Sequence, residues 1–351
     1  MALIQLSADA VRCLTGVEIE LSPDLNLIIG ANGAGKTSVL EAVYLLGRAR
    51  SFRTRIGERL IRHGADKLWV FGRNDKIPGD HGGLEIDRQS GSRAKLNGSA
   101  LATYAGLAEA FSVQVIDAEI HKLVEEGSSR RRRWLDWAVF HVEHSFSADW
   151  ANYSRALRQR NAALQTQADP APWDTEIARL GEALTLARES FVAAMFPFWE
   201  QAEAQLLGLG LQIGFQRGWP AGASLAETLA SNRGRDQERG STVSGAHRAD
   251  LQLRIGRYAA RDVLSRGQQK LAAVAMTLAQ LQCLQAATDV KPTLLLDDPA
   301  AELDSNRLQC FIDLVKALRV QRIVTSLSAD FRAFGDPEHV FHVEQGAVKR
   351  L

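Results

Sequence analysis

Three features of the 351-residue sequence predict an α/β fold. The apolar run Leu25–Ile29 leads through a glycine-rich loop into a helical pattern over Ser38–Leu46. A second apolar run, Thr293–Leu296, ends in two aspartates and is typical of a buried parallel strand. Between these runs the composition becomes helical from Ser128 onward. We therefore expect a sheet-based lobe built from both ends of the chain, with a helical lobe inserted between them.

The bulk composition is that of an ordinary folded protein without a large net charge. Hydrophobic residues make up 46% and charged residues 24% of the sequence, and the formal net charge is +1. Any nucleic acid partner must therefore be held by a local basic patch. The cysteines Cys13, Cys283 and Cys310 have no CxxC or zinc-binding spacing. Because no leader and no apolar stretch near the ~18 residues of a membrane span is evident, we expect a cytoplasmic protein without a membrane partner.

The glycine-rich loop has the P-loop spelling GxxxxGK[ST] between a strand and a helix. Its glycines allow backbone N–H groups to turn toward nucleotide phosphates, and the helix N-terminus adds partial positive charge. Lys36 is expected to reach the β- and γ-phosphates, and the Thr37 hydroxyl to ligate Mg²⁺. A glycine-rich turn that binds nothing is the weaker alternative. The predicted nucleotide-binding residues here are Gly30, Ala31, Asn32, Gly33, Ala34, Gly35, Lys36, Thr37 and Ser38.

Two acidic residues follow the second apolar run. Asp297 is placed to hold Mg²⁺, and Asp298 to orient or deprotonate the water that attacks the γ-phosphate. Apolar runs that end in two aspartates are common, so this motif alone is weak. Together with the P-loop it predicts an ATPase that uses ATP and Mg²⁺, with catalytic roles for Lys36 and Asp298.

A third motif, LSRGQQK over 264–270, opens a helix with apolar residues at helical spacing. An ordinary capped helix would show the same pattern. The functional interpretation is the signature motif of ATP-binding-cassette (ABC) ATPases, whose serine and helix N-terminus bind the γ-phosphate held by a second subunit. Ser265, Gly267 and Gln268 would then act in trans, with Ser265 in a catalytic role. This predicts an ATP-dependent homodimer with two nucleotides between its subunits.

Two departures from ordinary ABC ATPases predict slow hydrolysis. The segment Ala300–Asp304 matches the position of the D-loop, but Ser326 and Leu327 stand where a switch histidine is expected after the strand Arg322–Ser326. The second acid, Asp298, is shorter than the usual glutamate. We therefore expect ATP to act more as a timed clamp than as fuel.

The chain divides into three predicted segments. Residues 1–127 contain the P-loop half of the ATPase lobe, with antiparallel strands around Leu68–Gly72 and Gly83–Ile86. Residues 128–243 form a helical lobe. Residues 244–351 contain the signature motif, the two aspartates, the C-terminal half of the ATPase lobe and a closing hairpin.

The helical lobe carries a long pattern from Ile177 to Met195 whose steps of three and four resemble a coiled-coil seam. With the preceding pattern Trp150–Leu164 it predicts an antiparallel helical arm, and simple core packing is a compatible alternative. The polar stretch Ser231–Ser244 predicts a mobile loop.

Candidate DNA-binding residues come from one basic run and one isolated arginine. Arg130, Arg131, Arg132 and Arg133 form what we take as the only dense basic run, suited to sequence-independent contacts with phosphates. The alternatives are a solvated helix start capped by Ser128 or Ser129, or a structural pair of Arg131 or Arg132 with Asp136. Arg53 follows the P-loop helix and is either a DNA or nucleotide sensor or a surface charge.

Other candidates are better explained as structural residues. His247 and Asp250 suggest a catalytic pair, but a role in shaping the signature-side lobe is favoured. Trp134 and Trp137 are interpreted as core aromatics rather than base-stacking platforms.

The motifs together resemble the RecF family of bacterial DNA replication and repair proteins. The resemblance rests on GANGAGKTSVLEAVYLLG, SRRRRWLDWAVFH, GAHRADL, LSRGQQK and LLDDPAAELD, and it extends over essentially the whole chain. Ala246, Pro299 and Ala301 depart from residues that are usual in the family. These departures affect loop details.

The resemblance implies an ABC-type P-loop ATPase head, similar to SMC heads, with an inserted helical lobe in place of a long coiled coil. It also implies ATP-dependent dimerisation and association with duplex DNA and single-strand/duplex junctions. RecR, RecO and RecA are the implied partners, with RecA loaded onto gaps. The implied roles are recombinational repair, replication-fork recovery and SOS induction, with weak DNA-stimulated ATP hydrolysis. A non-hydrolysing ATP-binding scaffold and, less well supported, a transporter ATPase subunit are the alternatives.

Overall fold

The computed structural model describes residues 1–54, 56–299, 305–328 and 331–351. The strands are β1 (Leu3–Asp9), β2 (Val17–Glu20), β3 (Leu25–Ile29), β4 (Lys67–Asn74), β5 (His81–Asp87), β6 (Gly91–Leu96), β7 (Ser99–Ala100), β8 (Val113–Ile116), β9 (Gln212–Gln216), β10 (Asp250–Ile255), β11 (Tyr258–Ala259), β12 (Thr293–Leu296), β13 (Gln321–Ser326), β14 (His339–Glu344) and β15 (Ala347–Arg350). The helices are α1 (Lys36–Arg48), α2 (Ala105–Ala110), α3 (Lys122–Glu125), α4 (Ser128–Val142), α5 (Phe146–Gln165), α6 (Asp174–Leu206), α7 (Leu225–Ser231), α8 (Arg233–Arg239), α9 (Ala260–Val263), α10 (Arg266–Ala287) and α11 (Ser305–Ala317). Within these ranges, no helix is both long and apolar enough to span a bilayer.

The chain forms two compact units. Unit 1 contains Met1–Glu119 and Asp289–Leu351, and unit 2 contains Ile120–Thr288. The predicted three-segment division differs from these units at both ends of the helical lobe, since residues 120–127 and residues 244–288 belong to unit 2. The reason is packing, because helix α10 lies against α6 and α4 of unit 2. The signature motif at the start of α10 therefore folds with the helical lobe.

A mixed sheet in unit 1 has the strand order β15-β14-β3-β13-β12-β8. Strands β14, β3, β13, β12 and β8 run parallel, and β15 pairs antiparallel with β14. Every residue of β3 and of β12 is buried, as expected for central parallel strands. The predicted strands at Leu25–Ile29 and Thr293–Leu296 and the closing hairpin are confirmed.

The second sheet of unit 1 is antiparallel, with the order β2-β1-β4-β5-β6-β7. Its strands alternate buried and exposed residues, so one face packs inward and the other faces solvent. Asn97 and Gly98, with φ of 49° and 82°, form the turn between β6 and β7.

Helix α1 lies in the core of unit 1. Val39, Leu40 and Val43 of this helix are fully buried in one apolar cluster, which also contains Leu68 of the antiparallel sheet and Leu295 of the parallel sheet. Because both sheets pack on α1, the loop that precedes it is held firmly at its C-terminal end.

Unit 2 is mainly helical, and α6 is its central element. Helix α6 packs against α5, α10 and α4. The end of α5 meets the start of α6 through Arg160 and Asp174, 2.8 Å apart, while Arg188 of α6 lies over Trp150 near the start of α5. The two helices are therefore antiparallel, as predicted. Their apolar seam is buried within unit 2, so the compatible alternative of core packing also applies.

The prediction of a mobile loop over Ser231–Ser244 is wrong, because helix α8 occupies Arg233–Arg239. The polar residues of this stretch have specific partners. Asp236 is fully buried and accepts a hydrogen bond of 2.7 Å from Arg160 Nη1. A buried ion pair thus orders a stretch whose composition suggested a loop.

Candidate nucleotide-binding site

The P-loop connects β3 to α1 in a conformation that requires its glycines. Gly33 and Gly35 have φ of 78° and 120°, values that residues with a side chain rarely adopt. A Cβ atom at Gly30 would collide with the carbonyl oxygen of Val343 in β14. The backbone of the loop therefore has the conformation that the glycines of the P-loop motif predict.

Lys36 is the first residue of α1, and its ammonium group lies inside the loop. Its Nζ donates hydrogen bonds to the carbonyl oxygens of Gly30 (2.8 Å) and Ala31 (3.1 Å). The side chain is largely buried, and both acceptors are neutral. A buried ammonium with neutral acceptors keeps its full attraction for an anion such as a phosphate group.

The predicted metal-binding residues are in direct contact. Thr37 Oγ1 lies 3.1 Å from Oδ1 and 3.0 Å from Oδ2 of Asp297. Oδ1 of Asp297 also accepts a hydrogen bond of 2.8 Å from Thr325 Oγ1, at the end of β13. A hydroxyl and a carboxylate converging at one point are the hard oxygen donors that Mg²⁺ prefers, so these residues fit the ion. Thr325 fixes the orientation of the carboxylate and was not singled out in the sequence.

Asp298 has an unusual backbone conformation. Its φ is 48°, in the left-handed region, and its N–H donates to Thr325 Oγ1 at 2.9 Å. Aspartate tolerates this region better than most residues, but the conformation still costs free energy. The predicted D-loop, Ala300–Asp304, lies outside the described residues.

A buried carboxylate behind the P-loop was missed by sequence analysis. Glu41 of α1 is fully buried and pairs with Arg12, with Arg12 Nε 3.0 Å from Oε2 and Nη2 3.1 Å from Oε1. Ser51 Oγ also donates to Glu41, and Arg53 Nη1 lies 3.6 Å from its Oε2. Arg53 is therefore half-exposed and partly neutralised by this carboxylate. Glu41 links the segments on either side of α1.

The signature motif of unit 2 starts α10 with a capping box. Ser265 Oγ accepts from the N–H of Gln268, and Gln268 Oε1 accepts from the N–H of Ser265 at 2.9 Å. Ser265 and Gly267 are exposed. The serine hydroxyl and the first N–H groups of a 22-residue helix are thus presented to solvent, where an anion can approach them.

The four arginines of α4 have partners within unit 2. Arg130 pairs with Glu126 at 2.8 Å, and Arg133 donates to Ser129 Oγ at 3.0 Å. Arg131 is largely buried in a two-bond ion pair with Asp250 (2.8 and 3.0 Å). Arg132 donates to the carbonyl oxygen of Ala249 at 2.6 Å.

These contacts revise two structural alternatives. Asp136 pairs with Arg188 rather than with Arg131 or Arg132, so that predicted pair is wrong. Helix α4 begins at Ser128 after Gly127 as N-cap, so a cap by Ser128 or Ser129 is also wrong. Arg131 serves the structure of unit 2, and contact of the other arginines with DNA stays a prediction.

His247 is part of a buried hydrogen-bond network and is not paired with Asp250. Its Nδ1 lies 2.8 Å from Tyr153 Oη, and its Nε2 lies 3.1 Å from the carbonyl oxygen of Thr242. Burial lowers the pKa of His247 to about 4 and raises the pKa of Tyr153 to about 12. The imidazole is therefore neutral at physiological pH and acts as a link between α5 and the segment that precedes β10.

Comparison with known proteins identifies the family. Residues 2–349 match the RecF/RecN/SMC N terminal domain family. The chain is 38% identical over 359 aligned residues to the DNA replication and repair protein RecF of Pseudomonas syringae pv. syringae, with 99% of this chain and 98% of that protein covered. The chain belongs to the RecF family. RecF of Shewanella woodyi is 37% identical, again with 99% and 98% covered.

Solved structures agree with this assignment. The structure described as the recombination mediator protein RecF-ATP in the RecFOR pathway superposes with a TM-score of 0.89 at 25% identity, covering 100% of this chain and 97% of that chain. The corresponding RecF-ATPrS structure gives a TM-score of 0.84 at 26% identity, with 99% and 98% covered. An Smc head domain from Pyrococcus furiosus shares the fold, with a TM-score of 0.60 at 16% identity over 100% and 96% of the chains. The predicted ABC-type, SMC-like α/β head is confirmed, and a transporter subunit is excluded by family.

Unit 1 also contains a basic segment that carries no recognised motif. Residues 48–63 contain six arginines and one glutamate, which is more arginines than the run in α4, spread over a longer stretch. Arg50, Arg53 and Arg59 are exposed, and Arg59 lies beside Arg12 because its carbonyl oxygen accepts from Arg12 Nη1 at 2.9 Å. The signal was present in the sequence, but the charges are spaced by two to four residues and so do not form a visible run.

Proposed function

We propose that the protein is an ATP-dependent DNA-binding switch of recombinational repair, which closes as a homodimer when ATP binds. The observation that carries the proposal is the contact of Thr37 with Asp297 beside a P-loop whose lysine, among the described residues, donates to the neutral carbonyl oxygens of Gly30 and Ala31. These groups are the minimum that binding of a nucleoside triphosphate requires. The family of the chain supplies the biological context.

Each residue of the proposed site has a separate task. Lys36 and the loop amides bind and orient the phosphates, while Thr37 and Asp297 would hold Mg²⁺. When bound, Mg²⁺ neutralises phosphate charge that develops during the reaction. Asp298 positions the attacking water and accepts its proton. Ser265, Gly267 and Gln268 of the second subunit bind the γ-phosphate and complete the site in trans.

Slow hydrolysis is part of the proposal. Asp298 is shorter than a glutamate, and the end of β13 carries Ser326 followed by the exposed Leu327. A histidine at this position could donate a charged hydrogen bond to the γ-phosphate. Serine and leucine carry no charge and cannot supply that contact. The closed dimer would therefore persist for long periods, and hydrolysis would reset it.

The partners follow from the relatives. One matching structure is described as a recombination mediator in the RecFOR pathway. We infer that this chain associates with gapped or duplex DNA in the cytoplasm. We infer that it works with RecO and RecR to help load RecA, supporting fork recovery and SOS induction. The exposed arginines of segment 48–63, together with Arg130, Arg132 and Arg133, are the proposed phosphate contacts.

The test is phosphate release with and without gapped DNA. Asp298→Asn keeps the left-handed backbone, which asparagine tolerates, and removes the base. We expect DNA-stimulated turnover in the wild type and a loss of about 100-fold or more in the variant, with ATP binding retained. Asp336→Asn, at a side chain that is 97% exposed, is the matched control and should leave turnover unchanged. Equal turnover in Asp298→Asn and wild type would refute the catalytic assignment and favour the scaffold alternative.

A further inference from the structure

The solvent-facing side of the antiparallel sheet carries a cavity of about 480 Å³ in unit 1. Its walls include Trp69, Phe71, His81, Arg93 and Lys95, and its floor is the backbone at Gly83. We call this the aromatic–basic slot. It is formed by strands β4, β5 and β6 together with Gly98 of the turn that follows β6.

The register of the strands explains why a slot forms. Gly83 stands opposite Phe71 of β4 on one side and Lys95 of β6 on the other. Since side chains of directly opposed residues stand side by side above a sheet, glycine at the middle position leaves a gap one side chain wide. A Cβ at Gly83 would lie 2.7 Å from the carbonyl oxygen of Val70, so this position excludes larger residues.

Aromatic surface is available at the slot. Trp69 is 39% exposed although it is a large apolar residue in a regular strand. Phe71 lies two residues further along β4 on the same face, and its ring centroid is 6.3 Å from that of His81. Rings that stand beside a gap can stack on a planar group that enters it.

Within the described part of the chain, the positive charges around the slot have no acidic partner, whereas the carboxylate that lines it, Glu85, has a basic one. Among the residues that the structure describes, none forms an ion pair or a side-chain hydrogen bond with Arg73, Arg93 or Lys95, and all three are exposed. Glu85, in contrast, pairs with Lys67 at 2.8 Å. The slot therefore attracts an anionic occupant.

We propose that the aromatic–basic slot holds an unpaired base of single-stranded DNA, with the flanking phosphates on Arg73, Arg93 and Lys95. The cations lie on both sides of the gap at Gly83. Arg73 is paired with His81, two residues before Gly83 on β5, and Arg93 is paired with Glu85, two residues after it. In a polynucleotide every base is flanked by phosphates on both sides, whereas a peptide offers this pattern only if acids surround one aromatic residue. A base within a duplex would first have to leave its stack, so single strands are favoured.

This inference shares with the proposed function the premise that the chain binds DNA, but it needs neither ATP nor a dimer. It can therefore be tested separately. The probe is a fluorescently labelled dT20, titrated at low salt and without nucleotide against the full chain, with fluorescence anisotropy as the readout.

Two kinds of variant separate stacking from charge. Trp69→Ala combined with Phe71→Leu, which keeps apolar volume against the sheet, should weaken dT20 binding roughly 10-fold or more. Lys95→Glu should weaken dT20 binding and reduce the slope of log affinity against log salt concentration by about one unit. Tyr258→Ala, at an exposed ring of β11, and Lys349→Glu, on the exposed edge strand β15, are controls that should bind like the wild type. Thermal melting of each variant establishes that the fold is intact.

An abasic 20-mer tests the role of the base directly. The stacking variant and the wild type should bind this probe equally, while Lys95→Glu should still weaken binding. Unchanged dT20 affinity in both the stacking and the charge variants would overturn the proposal. It would also be overturned if dT20 were unaffected while an acidic peptide containing one phenylalanine lost affinity, since that result identifies a peptide site.

The proposed function is tested by different measurements, namely the ATP-dependent change in mass and the binding of duplex DNA. If the slot variants still double in mass with ATP and bind duplex DNA, loss of dT20 binding supports the slot alone. If the wild type shows ATP-dependent binding of duplex DNA but no effect of the slot variants on dT20, only the slot proposal is wrong.

Discussion

Single residues at the ends of β3 and β12 determine what the proposed nucleotide site can do. Lys36 and Thr37 follow one strand, and Asp297 and Asp298 follow the other, two places away in the same parallel sheet. Parallel strands end at the same edge, so residues about 260 positions apart come into hydrogen-bond contact. Thr325, at the end of the intervening strand β13, contacts both Asp297 and the backbone of Asp298.

Glu41 is the residue whose loss we expect to be most harmful outside the phosphate contacts. Glu41→Gln removes the charge of a fully buried carboxylate and leaves the partly buried Arg12 without its charged partner, so the free energy of unfolding should fall by about 2–3 kcal/mol. Urea unfolding measures this change. Glu58→Gln, at an exposed carboxylate, should change it by less than about 0.5 kcal/mol. Equal stability of the two variants would show that the buried pair contributes nothing.

At the scale of elements, unit 2 is held together by buried arginines. Arg160 bridges α5, the start of α6 and α8 through Asp174 and Asp236. Arg188 connects α6 to α4 through Asp136 and also donates to the carbonyl oxygen of Ala246 at 2.7 Å. Burial outweighs the attraction of Arg188 and raises the pKa of Asp136. These contacts fix helices that the hydrophobic seam of α6 alone would leave free to slide.

The His247 network predicts a pH dependence of stability. The folded state has a lowered pKa of about 4 for this residue, so between pH 6.5 and 4 the unfolded chain binds a proton that the folded chain does not. Stability should therefore fall as pH falls through this window, by at most about 3 kcal/mol from this residue. Above pH 6.5 the effect is absent.

His247→Asn removes the titrating group and keeps a polar partner for Tyr153. Its stability should depend less steeply on pH between 6.5 and 4 than that of the wild type, measured by urea unfolding at several pH values. His63→Asn, at an exposed histidine, should keep the slope of the wild type. An unchanged slope in His247→Asn would mean that other groups cause the acid sensitivity.

At the scale of the whole molecule, the sequence predicted those features whose residues are close together along the chain. The P-loop, the strand before Asp297 and the cap formed by Ser265 each lie within a few consecutive residues, and each was found. Buried pairs were missed because their partners are distant: Arg131 and Asp250 are separated by 119 positions, and Arg160 and Asp236 by 76. Composition could not show that Asp236 is buried, so an ordered helix was predicted as a loop.

The aromatic–basic slot illustrates the same limit. Trp69, Gly83 and Lys95 carry no motif, and only the pairing of β4, β5 and β6 brings them together. The unit that contains the signature motif was likewise set by the packing of α10 on α6, which the order of motifs along the chain does not reveal.

The central claim is that ATP joins two copies through the signature serine, and light scattering tests it most directly. Wild type and Ser265→Arg are each measured without nucleotide, with ADP, and with ATP plus Mg²⁺. We expect the mass of the wild type to double only with ATP, and Ser265→Arg to remain a monomer while still binding ATP, because an arginine at the helix start blocks the partner's γ-phosphate. A dimer without nucleotide, or an ATP-dependent dimer of Ser265→Arg, would contradict the account.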